Sequence, residues 1–157
     1  MLEARPEMKK TIGNHVFEYV GQIEPERAGD RIRRFMPQVE YNNVRLLPLN
    51  PYGAGPFCRF RIPSGLHAQG VYAITSGEKV MYVGECVDLS KRFNMGYRQI
   101  SPRNCYKGGQ ETNCRINSLV LHHADGGGQP GLWFVRTPHR KRVEAELIHT
   151  YNPPWNR

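Results

Sequence analysis

Five side chains in this sequence have types and spacings that suit phosphate chemistry. Tyr72 stands in Gly70-Val71-Tyr72 and Tyr82 in Tyr82-Val83-Gly84. The two runs read as adjacent antiparallel strands joined by the turn Ser76-Gly77-Glu78, so both phenols can reach one face. A phenol donates and accepts hydrogen bonds, but with a pKa of about 10 it is a poor base at neutral pH. Tyrosines are also ordinary strand residues, and the pair gains chemical meaning only from what approaches it. Arg92, in Leu89-Ser90-Lys91-Arg92, would offer a fixed guanidinium suited to a phosphate. Glu144, in Val143-Glu144-Ala145-Glu146-Leu147-Ile148, borders an apolar helical stripe formed by Val143, Leu147 and Ile148. A carboxylate there is partly desolvated unless a divalent cation or an arginine meets it. Glu146, about 200° further round the helix, faces solvent. Asn156, in the closing Pro153-Pro154-Trp155-Asn156-Arg157, can return an amide to the same face.

The elements that must position these groups follow from the local pattern. Strands are predicted over Gly70–Ile74, Val80–Gly84 and Leu132–Val135. Asp88 is a predicted cap for a helix through Leu89, Arg92 and Phe93. Thr112 or Asn113 would cap a helix carrying Ile116, Leu119 and Val120, ended by Asp125-Gly126-Gly127-Gly128. Thr137-Pro138 starts a last helix, running to about Tyr151 before Asn152-Pro153-Pro154. Earlier in the chain, His15–Val20, Val44–Leu47 and Phe57–Ile62 read as strands. Pro25–Met36 reads as a short helix with Ala28, Ile32, Phe35 and Met36 on one side. Pro63-Ser64-Gly65 is the linker candidate. The chain therefore divides into an N-terminal extension, residues 1–65, and an α+β domain, residues 66–157.

The 157 residues can bury a core without staples. The net charge of +8 comes from 22 Lys+Arg against 14 Asp+Glu, and 16 of the 22 are arginine. This balance favours a nucleic-acid partner. No apolar run approaches the roughly 20 residues of a spanning helix, and Met1–Lys10 lacks the apolar stretch of a secretory signal, so a cytoplasmic protein is expected. Cys58, Cys86, Cys105 and Cys114 contain no C-x-x-C pair and are expected to be buried thiols. Cys105 and Cys114 with His122-His123 fit no common zinc spacing, and no zinc is expected.

Taken in order, these motifs resemble the GIY-YIG nuclease signature. Gly70-Val71-Tyr72 and Tyr82-Val83-Gly84 are similar to its two triplets. Leu89-x-x-Arg92 is similar to its arginine motif and Glu144-x-x-Leu147-Ile148 to its glutamate helix. Pro154-x-Asn156, with Asn156 twelve residues after Glu144, is similar to its asparagine motif. The match covers Gly70 to Asn156. It departs at Glu85, where the family often carries a basic residue, and at Gly96, where a functional side chain is common; Tyr97, one step later, is assigned that role. The stretch between Arg92 and Glu144 is also longer than in the minimal module.

The resemblance implies a small three-stranded antiparallel sheet flanked by helices, with an N-terminal α/β extension. It implies phosphodiester hydrolysis with one divalent metal, Mg²⁺ with Mn²⁺ as substitute, held by Glu144. Tyr72 would help activate the attacking water, with a metal-organised water and the nearby Arg92 charge favouring its phenolate. Tyr82 would bond the phosphate, Arg92 would neutralise transition-state charge, and Asn156 would anchor the loop or orient water. Arg98, Arg103, Lys107 and Arg115, interleaved with Tyr97 and Tyr106, would contact double-stranded DNA. Asn104, Gln110, Asn113 and Asn117 could read base edges. His139-Arg140-Lys141-Arg142 is a second basic cluster, in which Arg140 and Arg142 would also contact nucleic acid, and Arg27, Arg31, Arg33 and Arg34 form a third, a DNA clasp or a charged face. A sequence ending one residue past Asn156 most resembles the stand-alone restriction endonucleases of the family. One active site cuts one strand, so a double-strand break requires a homodimer or two visits. The rival readings are a structure-specific repair or recombination nuclease and a non-catalytic nucleic-acid-binding protein.

Overall fold

The computed structural model describes residues 8–40 and 47–156. Strands β1 (Lys9–Ile12) and β2 (His15–Gln22) form a hairpin, followed by three two-residue strands, β3 (Glu24–Pro25), β4 (Arg27–Ala28) and β5 (Arg31–Ile32). Strand β6 (Phe60–Arg61) pairs with β3. The hairpin β7 (Gly70–Ser76) and β8 (Lys79–Cys86) leads into α1 (Leu89–Arg92), which passes directly into a π turn at Phe93–Tyr97. Helix α2 (Glu111–Asp125), strand β9 (Gly131–Arg136) and helix α3 (Arg140–Tyr151) follow, and a 3₁₀ turn at Pro154–Asn156 closes the fold.

The main sheet has five antiparallel strands in the order β1-β2-β9-β7-β8, not three. The surplus comes from the N-terminal hairpin, whose β2 pairs along β9 at Glu18↔Phe134 and Tyr19↔Trp133. Strand β7 lies between β9 and β8, and six of its seven residues are buried because both faces are covered. Period-two alternation divides its side chains. Tyr72 and Ile74 join Phe93, Tyr97, Ile116 and Val120 on the α1–α2 side. Val71 and Ala73 join Phe17, Val83, Val143 and Leu147 on the α3 side. The predicted stripe of α3 is therefore the one that packs.

The helix expected over Pro25–Met36 does not form. Arg27↔Ile32 and Ala28↔Arg31 pair instead across a two-residue turn in which Gly29 has φ +64°. Gly-Asp is a hairpin turn sequence, and its left-handed backbone would interrupt a helix. The expected strand Phe57–Ile62 is reduced to β6 and an isolated bridge between Phe35 and Phe57. The described part of the extension thus carries strands and one 3₁₀ turn, with no α-helix. Of the predicted strand Val44–Leu47, residues 44–46 lie outside the described residues. Helix α3 starts at Arg140, and Thr137 Oγ1 accepts from the His139 N–H at 3.0 Å ahead of it. All four cysteines are free and buried.

Asn117 ties α2 to the segment at Cys58 and to the π turn. It is fully buried on α2, where its amide accepts from Cys58 N at 2.9 Å and donates to Cys58 O at 2.9 Å and Tyr97 O at 2.8 Å. It is therefore no reader of bases. Asn117→Ala is expected to strand three buried backbone groups and cost about 3 kcal/mol. In thermal melts this should lower Tm by roughly 6–12 °C.

Candidate active site

The glycines of the hairpin make room for an aromatic ring. Tyr72 pairs opposite Gly84, and a Cβ on Gly84 would lie 2.3 Å from Tyr72 Oη. The phenol crosses the space that any other residue would fill. Gly84→Ala should push the ring aside, costing about 1–3 kcal/mol of stability. Thermal melts of the variant beside wild type check this cost.

Tyr72 Oη ends at Tyr97. The two hydroxyls are 2.6 Å apart, Tyr82 Oη is 3.5 Å from the same Tyr97 oxygen, and Arg92 Nε–H points to it at 3.1 Å. Arg92 Nε also lies 3.5 Å from Tyr72 Oη, and its guanidinium sits 4.8 Å from the Tyr97 ring centroid. The π turn explains why Tyr97, not residue 96, occupies this place. Arg98 N donates to Phe93 O at 2.9 Å, an i→i+5 bond that adds one residue to the turn. The residue five positions after Arg92 is thereby swung back over it. At position 96 a glycine packs against the Asn113 amide.

Arg92 is held at its base by the start of α1. Asp88 caps the helix, accepting from Lys91 N at 2.9 Å, and lies 3.0 Å from His67 Nδ1. Leu89 N and Ser90 N donate to Ala68 O and Leu66 O, so the segment before β7 is tied to the same turn. The Asp88 carboxyl is held below its ordinary value, first by the Lys91 N–H and then by His67.

The phenols of Tyr72 and Tyr82 are held in the neutral form. Burial pushes Tyr72 well above its usual value, the hydroxyls of Tyr97 and Tyr82 push it further, and Arg92 opposes them without prevailing. Tyr82 is raised for the same reasons, burial first. Arg92 alone does not favour a Tyr72 phenolate: desolvation of a fully buried phenol outweighs one half-buried guanidinium. Burial works against the charge on Arg92, but the oxygens of Tyr72 and Tyr97 outweigh it and hold the pKa above its ordinary value.

Glu144 lies on α3, across the sheet from the phenol rings and half-buried. Its carboxyl is raised, first by burial and then by the nearby Glu85, against smaller opposing effects of the Glu85 backbone N–H, Arg92 and Lys141. Glu85 forms an ion pair with Arg140, one helical turn before Glu144. Glu85, Asp88, Lys91, Arg92 and Arg140 line an open cleft of about 650 Å³. Arg92 is the group that meets both the buried hydroxyls and this cleft. Asn156 serves the backbone instead. Its amide accepts from Val83 N at 2.9 Å and donates to Val83 O at 2.8 Å. Strand β8 is an edge, and this side chain satisfies the backbone groups that point away from β7.

The sequence-predicted DNA contacts are scattered. Arg103, Lys107 and Arg142 are exposed, whereas Arg98 is half-buried with Nε donating to Phe60 O at 3.0 Å. Arg115 lies 5.9 Å from the Tyr52 ring centroid, and Arg140 is engaged by Glu85. Tyr97 and Tyr106 are 0% and 1% exposed and offer no ring for stacking on a base. Asn113 is buried too, and Asn104 Oδ1 accepts from Ser101 N and Oγ at 3.1 and 2.8 Å; Gln110 remains exposed. The arginines at 27 and 31 stand on the β4–β5 hairpin, not on a helix face, and Arg34 is paired with Asp125. The sequence reading missed the Glu85–Arg140 pair; the acid at a position where the resemblance implies a basic residue was the available signal.

No protein-family model matches this chain, and no curated protein matches its sequence. Among solved structures, that of a bacteriophage T4 EndoII mutant is similar, with a TM-score of 0.49 and 20% identity over 71% of this chain and 87% of that chain. No described helix is long and apolar enough to cross a membrane.

Proposed function

We propose that this chain is a divalent-cation-dependent DNA endonuclease of the GIY-YIG type. The observation that carries this reading is Arg92. Its guanidinium is fixed from behind by Tyr72 and Tyr97 and opens into a cleft that also holds Lys91, Arg140 and Glu85, and both Glu85 and Arg92 act electrostatically on the half-buried Glu144.

The residues present fit a hard cation. Glu144 is a partly desolvated carboxylate whose pKa is raised, the state of an acid lacking a full counter-charge. No group of three or more His, Cys, Asp or Glu able to hold a metal occurs among the described residues. A cation that keeps most of its waters and takes one protein carboxylate, Mg²⁺ or Mn²⁺, suits such a site better than zinc. When bound, it would polarise the scissile phosphate and stabilise the leaving oxygen.

The chain's own groups do the rest. Arg92 meets charge growing on the phosphoryl oxygens from a preorganised position. Tyr72 and Tyr97 orient that guanidinium through their hydroxyl oxygens, and Tyr82 closes the cluster behind it. Asn156 holds the edge of β8 and with it the approach of Glu85 and Glu144. Exposed Arg103, Lys107 and Arg142 supply charge for duplex phosphates.

Acid should weaken the activity. Glu144 ligates a cation only when ionised, and its folded pKa lies above the ordinary 4.5, so protons compete with the metal at less acidic pH than for a surface glutamate. Rate against pH at subsaturating Mg²⁺ should fall as pH drops through that raised value, and saturating Mg²⁺ should move the fall to lower pH.

Incubation with plasmid and with branched junctions, in Mg²⁺ or chelator, tests substrate class. Discrete Mg²⁺-dependent plasmid fragments support a sequence-specific, restriction-like enzyme. Cleavage confined to junctions supports a structure-specific nuclease. Salt-sensitive binding without cleavage would leave a non-catalytic binding protein.

A further inference from the structure

The mechanism above leaves Glu85 without a role. It sits directly after Gly84, in the cleft, as an acid where incoming phosphate would be repelled. Its charge is masked by Arg140, and both side chains are about a quarter exposed, at 24% and 23%. Arg140 and Glu144 are four residues apart on α3 and therefore share a face. Glu85 consequently lies beside Glu144, close enough for its carboxylate to push the Glu144 pKa up. The other acid of the cleft, Asp88, is committed to the Lys91 N–H and to His67.

We propose that Glu85 and Arg140 form an exchangeable ion pair that couples cation binding to phosphodiester binding. Arg140 leaves Glu85 for a phosphate oxygen, and the released Glu85 carboxylate turns, directly or through water, to the cation held at Glu144. Each ligand thereby favours the other, since an effect of phosphate on cation affinity must be matched by an equal effect of cation on phosphate affinity. This rests on the nuclease reading for Glu144.

The test uses the full chain and two probes: Mn²⁺ alone by calorimetry, and a labelled 16-base-pair duplex in EDTA by fluorescence anisotropy. Glu85→Gln should weaken Mn²⁺ about tenfold, within the range for loss of a supporting partner of a metal ligand. It should also tighten the duplex in EDTA and steepen its salt dependence by about one unit of slope, because Arg140 is unmasked. Arg140→Gln should act oppositely on the cation, tightening Mn²⁺ in the absence of DNA, and it keeps the proposal testable should Glu85→Gln fail to fold. Unchanged Mn²⁺ affinity in both variants, or duplex binding in Glu85→Gln with wild-type affinity and slope, would overturn the exchange. Glu144→Gln separates the two levels: if it binds Mn²⁺ like wild type, the nuclease reading itself fails, whatever Glu85 does.

Discussion

Glu144→Gln is expected to lower Mg²⁺-dependent strand cleavage by about 10³-fold or more, the scale on which removing a site's main electrostatic anchor acts. The amide keeps the shape and loses the charge. Its effect on stability should run the other way. A carboxyl whose folded pKa is raised above the unfolded value contributes stability that is present below the unfolded pKa and lost as pH rises through the folded one. At neutral pH the ionised Glu144 is therefore a cost to the free fold, arising from burial and from Glu85. The glutamine variant should melt at the wild-type temperature or slightly above it at pH 7, and the difference should vanish in acid. Loss of cleavage with an unharmed Tm separates a functional carboxylate from a structural one.

Arg92→Lys should produce the second large effect, a fall in single-turnover cleavage of roughly 10²- to 10³-fold. An ammonium keeps the charge but cannot present the planar fork of a guanidinium. It also lacks the Nε–H that meets Tyr97 at 3.1 Å and Tyr72 at 3.5 Å, so the cation would no longer be aimed. Duplex affinity should change far less than rate, because one cation among many contributes little to phosphate contacts. A matching loss of affinity and rate would instead assign Arg92 to general DNA binding.

The second half of the chain was legible because its signals are local. The turn at Gly77 sets the β7–β8 register, Asp88 caps α1, and Val143 and Leu147 mark the buried stripe of α3. Elsewhere local pattern misled. Ala28, Ile32, Phe35 and Met36 mimic a helical stripe, but Gly29-Asp30 turns the chain into a hairpin. The pairing of β2 with β9 joins segments more than a hundred residues apart, and nothing in either strand names its partner. At the site, residue types were readable and surroundings were not. Tyr97 and Tyr106 look alike as loop aromatics. One completes a hydroxyl cluster with Arg92, and the other donates from a buried ring to Gln38 O at 2.7 Å. The phenol chemistry was likewise set by burial, which the spacing of Tyr72 and Tyr82 does not encode.

The most direct measurement is conversion of supercoiled plasmid to nicked and linear forms by the wild-type chain, in Mg²⁺ and in EDTA, with Glu144→Gln alongside. Conversion by the wild type in Mg²⁺ alone is the expected result. Conversion that persists in EDTA, or that Glu144→Gln supports at the wild-type rate, would contradict a cation held by that carboxylate. Absence of conversion by the wild type on plasmid and on branched DNA alike would contradict the nuclease itself.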